Sequence, residues 1–84
     1  LANLDVKSMT VEARGDRAGL LRDLLLPFEE QGISLTAIDS HKSKDGIRFE
    51  LGIDETTSST ETIITTVAAL QKMGCSVVEI SNNS

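Results

Sequence analysis

The stretch that most restricts the fold is Asp45-Gly46 followed by Ile47-Arg-Phe-Glu-Leu-Gly-Ile53. Asp-Gly is a strong signal for a two-residue hairpin, because the favoured turn needs positive φ at its central positions. Beyond it, Ile47, Phe49, Leu51 and Ile53 alternate with Arg48, Glu50 and Gly52. A period of two makes a strand with one apolar and one polar face. The chain must therefore supply a strand before the turn and a cover for the apolar side.

Both are legible. Met9, Val11 and Ala13 alternate with Ser8, Thr10 and Glu12, which predicts a strand over about residues 5–13. Arg14-Gly15-Asp16 reads as a turn, with Asp16 as the N-cap of a helix. Leu20, Leu21, Leu24, Leu25 and Phe28 then form one apolar helical stripe, and Gly32 lies just past its end. Pro27 stands late in that helix. In a free helix interior proline costs about 3 kcal/mol, so a kink in the final turns is expected. The strand before the hairpin spans about residues 33–42. Ile33 and Leu35 share a face, Ile38 falls out of phase, and a bulge near Thr36 and Ala37 would restore it. Residues 54–62 are polar and rich in hydroxyls, and Ser58 with Glu61 matches a capping box. Ile63, Ile64, Val67, Leu70 and Gln71 continue as a helix that Gly74 ends. A last strand covers about residues 75–81, before a frayed tail.

The order βαββαβ implies an α+β, ferredoxin-like sandwich: a four-stranded antiparallel sheet with two helices on one face. The 84 residues suit one domain, 1–84. A domain this small buries a modest core, so a second copy would add useful buried surface. Phe28 and Phe49 are the only aromatic residues, so the core must be aliphatic. Net charge is −5, and the basic residues cluster no further than Lys42-Ser-Lys44. Neither nucleic acid nor an anionic membrane is an expected partner, since both need clustered cations. No apolar run is long enough to span a bilayer. Cys75 is the only cysteine, which precludes an internal disulfide and fits a reducing, cytoplasmic setting. The chain begins at Leu1 and is expected to be a piece of a longer enzyme.

Asp39-Ser40-His41 raises the thought of a catalytic triad. Successive strand residues point to opposite faces, so Ser40 is turned away from both neighbours, and no catalytic residue is assigned. Asp39 and His41 share a face, but two ligands are too few for a metal site, and no metal or other cofactor is expected. The first turn after residue 16 is more informative. A helix start offers unpaired N–H groups and a positive dipole end, which suit a carboxylate. Arg17, Ala18, Gly19 and Leu20 lie there. Gly19 would let a ligand or a partner backbone approach closely, or would simply ease helix packing.

Asp16-Arg-Ala-Gly-Leu-Leu21 and Phe28-Glu-Glu-Gln-Gly-Ile-Ser-Leu-Thr-Ala-Ile-Asp-Ser-His-Lys42 together resemble the ACT domain, a regulatory module that senses small molecules. The resemblance covers about residues 11–54. It is nearest the subgroup attached to prephenate dehydratases and aromatic amino acid hydroxylases. Ser34 stands where that subgroup has Asn, Asp39 where it has Glu, and His41-Lys42 where it has Arg-Pro. The helix start also resembles ACT domains of stringent-response synthetases and of amino acid biosynthesis enzymes.

The resemblance implies two domains paired side by side, as a homodimer or larger assembly. An amino acid effector, phenylalanine or another, would lie between the helix start of one copy and the second strand of the other. Its carboxylate would meet Arg17, Ala18, Gly19 and Leu20, and its ammonium Asp39 and nearby strand carbonyls. Its side chain would meet Leu20, Leu21 and Ile38, with Ser34 and Ser40 beside them. Such a domain, no enzyme by itself, would regulate an attached one such as prephenate dehydratase. The alternative is a ligand-free dimerisation module of the same fold.

Overall fold

A computed structural model describes residues 6–15 and 18–82. The elements run β1 (Val6–Arg14), α1 (Leu20–Glu30), β2 (Leu35–Ser43), β3 (Gly46–Ile53), a 3-10 turn (Glu55–Thr57), α2 (Thr60–Lys72) and β4 (Ser76–Asn82). The four strands form one antiparallel sheet in the order β2-β3-β1-β4. This is the expected ferredoxin-like arrangement, with β2 and β4 as its two open edges.

Cross-strand pairs share a face, so register sorts the side chains. Met9 faces Leu51, Val11 faces Phe49 and Ala13 faces Ile47. Met9, Val11, Ala13, Phe49 and Leu51 are buried with Leu20, Leu24 and Phe28 of α1 and Ile63 and Leu70 of α2. The opposite face pairs Thr10 with Glu50 and Glu12 with Arg48 and is left to solvent. No helix among the described residues is long and apolar enough to cross a membrane.

Both helices close in the same way. Past α1, Gly32 takes φ 72°, its N–H donates to Glu29 O at 3.0 Å, and the Ile33 N–H donates to Phe28 O at 2.9 Å. Past α2, Gly74 takes φ 90°, its N–H donates to Gln71 O at 3.0 Å, and the Cys75 N–H donates to Leu70 O at 3.0 Å. Each is a Schellman ending, which satisfies two orphan carbonyls and packs an apolar residue just beyond the glycine against the helix's last turn. Ile33, Phe28, Cys75 and Leu70 are all buried accordingly.

Several expectations need correction. The helix begins at Leu20, with Gly19 as its N-cap, so Asp16 does not hold that position; Asp16 itself lies outside the described residues. Pro27 lies inside the helix, which runs through it to Glu30, and Pro27 and Phe28 are both buried. The capping box is one residue later than the sequence suggests. Ser59 is the N-cap, its Oγ accepts from the Thr62 N–H at 3.2 Å, and Thr62 Oγ1 accepts from the Ser59 N–H at 2.8 Å. A threonine hydroxyl thus does what Glu61 was expected to do. The bulge is found where the phase demanded it: Leu35 faces Ile53 and Ala37 faces Gly52, leaving Thr36 as the extra residue.

Candidate functional site

The mouth of α1 owes its shape to Gly19. At φ 82° and ψ 0° this residue is left-handed, a conformation that costs other residues roughly 1–2 kcal/mol. A Cβ built there would meet only Arg22 Nη2, at 3.8 Å. The space above Gly19 is therefore open, and glycine is required by the backbone and not by crowding. The first helical hydrogen bond runs from the Asp23 N–H to Gly19 O at 2.9 Å, and no side chain among the described residues caps the helix. The N–H groups of Leu20, Leu21 and Arg22 have no acceptor within the helix. Ala18 is exposed in the turn before it, and Leu21 is 38% exposed. Leu20, expected to line a ligand, has its side chain buried in the core, whereas the adjacent Leu21 is open to solvent. Arg17 lies outside the described residues.

β2 contributes the second group. Ile38 faces Leu51 and Ser40 faces Phe49, which places both on the helix side of the sheet. They stay exposed, Ile38 at 43%, because β2 is an edge that the helices do not cover. Asp39 faces Glu50 and His41 faces Arg48, on the solvated side. Asp39, expected to meet an ammonium at a helix mouth, thus leaves the sheet on the face away from α1. Ser34 is fixed by its backbone, donating its N–H to Thr57 Oγ1 and accepting from the Asp54 N–H, each at 2.9 Å.

These residues do not converge within one chain. β1 delivers Gly19 to the sheet end where Arg14 pairs with Gly46, the end that also carries the β2–β3 turn. Ser34 precedes the opposite end, where Leu35 pairs with Ile53. At about 3.3 Å per strand residue, Ser34 and Ser43 are roughly 30 Å apart. Two concavities of the surface do not gather the expected residues. One of about 620 Å³ opens at the hairpin end beside Arg14, Lys42 and Arg48, and one of about 440 Å³ lies between the helices at Leu26, Pro27 and Met73.

The charged groups of the solvated face are ordered. Arg48 donates from Nε and Nη2 to Glu12 Oε2 at 3.1 and 3.0 Å. His41 Nε2 lies 3.4 Å from Glu50 Oε2. Two structural residues escaped the sequence reading. The Asp54 carboxylate organises the 3-10 turn, accepting from the Thr56 N–H at 3.1 Å and the Thr56 hydroxyl at 2.7 Å. Gly52 makes room for the bulge, since a Cβ there would sit 2.6 Å from Thr36 Oγ1. A glycine at an otherwise polar position of a clean strand was the available signal.

No protein-family model and no curated protein sequence matches the chain. Solved structures share its fold. The prephenate dehydratase of Staphylococcus aureus subsp. aureus Mu50 is 25% identical over 92% of this chain, with a TM-score of 0.68. The regulatory subunit of aspartate kinase from Thermus thermophilus, in a ligand-free form, is 13% identical over 96%, with a TM-score of 0.63. A homoserine dehydrogenase from Thiobacillus denitrificans is 15% identical over 92%, with a TM-score of 0.63. The latter two demonstrate the fold alone. This chain spans 30%, 52% and 17% of those three proteins respectively.

Proposed function

We propose that this chain is an ACT-type regulatory domain of an amino acid metabolic enzyme, and that it binds a free amino acid between two copies paired along β2. The observation that carries this reading is the division of the site. One chain holds an open helix mouth at one end of the sheet and an uncovered, partly apolar β2 wall running toward the other end. A two-fold axis through an antiparallel β2–β2 contact reverses the partner, so its β2 wall slides toward the first copy's helix mouth.

In such a pair the ligand carboxylate meets the first-turn N–H groups of Leu20, Leu21 and Arg22, which have no acceptor within the helix, with open space above Gly19. The ammonium meets the hydroxyl of the partner's Ser40 and adjacent strand carbonyls. The ligand side chain packs between Leu21 and the partner's Ile38. A ligand touching both copies stabilises the pair, and pairing strengthens ligand binding by the same factor. An attached enzyme is regulated if its active and inactive forms differ in this pairing. The prephenate dehydratase likeness favours phenylalanine as effector and a dehydratase as parent.

The test is a melting panel of the domain with each of the twenty amino acids at millimolar concentration. A ligand at a hundred times its Kd stabilises by about 2.7 kcal/mol, which is several degrees for a domain of this size. A saturable rise with phenylalanine or one close relative is the expected result. A flat panel from a stably paired chain would make it a dimerisation module, and a flat panel from a monomer would refute both.

A further inference from the structure

The unpaired edge of β2 is regular over residues 37–43, where every residue faces a β3 partner in unbroken register from Ala37 with Gly52 to Ser43 with Gly46. The bulge at Thr36 ends that stretch on one side and the hairpin turn ends it on the other. Two copies meeting antiparallel across this edge, about an axis normal to the sheet, must place same-face residues opposite each other. The axis then passes beside a residue. Each choice has a distinct electrostatic outcome on the solvated face. An axis at Asp39 sets two carboxylates together, and one at His41 sets two imidazoles together. An axis at Ile38 faces Asp39 with Ala37, and one at Lys42 faces His41 with Ser43. An axis at Ser40 faces Asp39 with His41 twice. It is also the midpoint of the regular stretch, so all seven residues pair.

We infer that the register is centred on Ser40, so that each copy's Asp39 faces the partner's His41 and the histidine makes the contact sensitive to pH. This rests on the paired reading above and adds its register and its regulation. The charges facing each imidazole are known from every side. Glu50 of β3 lies 3.4 Å from Nε2. Arg48 is its direct cross-strand neighbour, and that guanidinium is held by Glu12 of β1. In the single chain Asp39 faces Glu50, two like charges on adjacent strands. Pairing brings the partner's His41 beside this acidic couple.

An imidazole that gains a second carboxylate favours its protonated form, so pairing takes up protons. The contact is tight below the range where histidine titrates and weakens as pH rises through it. Ile38 faces the partner's Lys42 on the helix side, where the lysine stem covers the exposed isoleucine.

Sedimentation equilibrium of this chain at about pH 5.5 and about pH 8 in low salt tests the register, since histidine changes charge between these values. Two exposed ion pairs predict association about 2- to 30-fold tighter at the lower pH, fading at high salt. His41→Gln removes the pH dependence. Asp39→His sets imidazoles opposite each other and weakens association at low pH, and combining it with His41→Asp restores both strength and pH dependence. Both positions are exposed, so all variants keep the core intact. Pairing that ignores pH, or an exchange no better than Asp39→His alone, overturns the register while leaving the paired reading standing. A chain that stays monomeric under every condition overturns both.

Discussion

Replacing Gly52 with alanine separates two opposing physical terms. Mid-strand glycine loses more backbone entropy on folding than alanine, so by that term the change should stabilise by roughly 0.5–1 kcal/mol. Gly52 lies in β3, between Ala37 of β2 and Ser8 of β1, and no positive φ requires it to be glycine. The space around it argues the other way. A Cβ there would stand 2.6 Å from Thr36 Oγ1 and 3.3 Å from both Ala37 Cβ and Ala37 N. The hydroxyl must leave and the bulge backbone must yield by a few tenths of an ångström. Overpacking of this kind costs about 1–3 kcal/mol, which outweighs the entropic gain. Urea denaturation should therefore show a net loss, with a melting temperature lower by about 4–8 °C for each kcal/mol. Thr36→Ala alone should change stability by no more than about 0.5 kcal/mol, because Thr36 is exposed. In the double variant the worst contact is gone and a good part of the loss should return, while the contacts to Ala37 keep the rescue incomplete. A neutral or stabilised Gly52→Ala protein, or a double variant no better than the single, would refute the claim that this glycine exists to seat the bulge.

Two further substitutions test the caps. Ser59→Ala should cost about 1 kcal/mol in urea denaturation, against a change within about 0.5 kcal/mol for Ser58→Ala, because only Ser59 accepts from the α2 backbone. Gly19→Ala should cost roughly 1–2 kcal/mol from backbone conformation alone and Gly19→Asn less, with equal losses for the two pointing to a steric role instead.

The fold was readable because its signals are local. The hairpin signal at Asp45-Gly46, whose turn falls one residue earlier at Lys44 and Asp45 with Ser43 facing Gly46, the alternation through Ile53 and the two glycine-ended stripes each depend on residues a few positions apart, and tertiary contacts reinforced them. The bulge was readable for the same reason, since only an extra residue near Thr36 brings Ile38 into phase with Leu51. The cap of α2 was missed by one position because Ser58 and Ser59 offer the same hydroxyl, and three-dimensional context chose between them. The site was harder for a different reason. Leu20 and Leu21 are identical in type, and only packing decides that one is core and the other a surface. Asp39 and Ile38 are adjacent in sequence yet leave the sheet on opposite faces, which spacing implies only once the bulge is placed.

The two sheet edges use the same device to opposite effect. An extra residue at Thr36 lies at the start of β2 and leaves residues 37–43 as an unbroken template for another strand. In β4 the extra residue is Val78, since Thr10 faces Glu79 and Val11 faces Val77. That bulge falls inside a seven-residue strand whose Val77, Val78 and Ile80 would otherwise make an adhesive edge. A mid-strand bulge twists an edge away from intruding strands, and the charge of Glu79 adds to the protection. Val78 at 50% and Ile80 at 38% exposure show how much apolar surface is guarded there by geometry and not by cover. A ferredoxin-like sheet with two equally open edges could extend without limit, because each added copy would present a fresh edge. With β4 bulged and β2 regular, the pairing proposed above would be confined to one edge, and an edge that meets its own copy about a two-fold axis closes on itself after two.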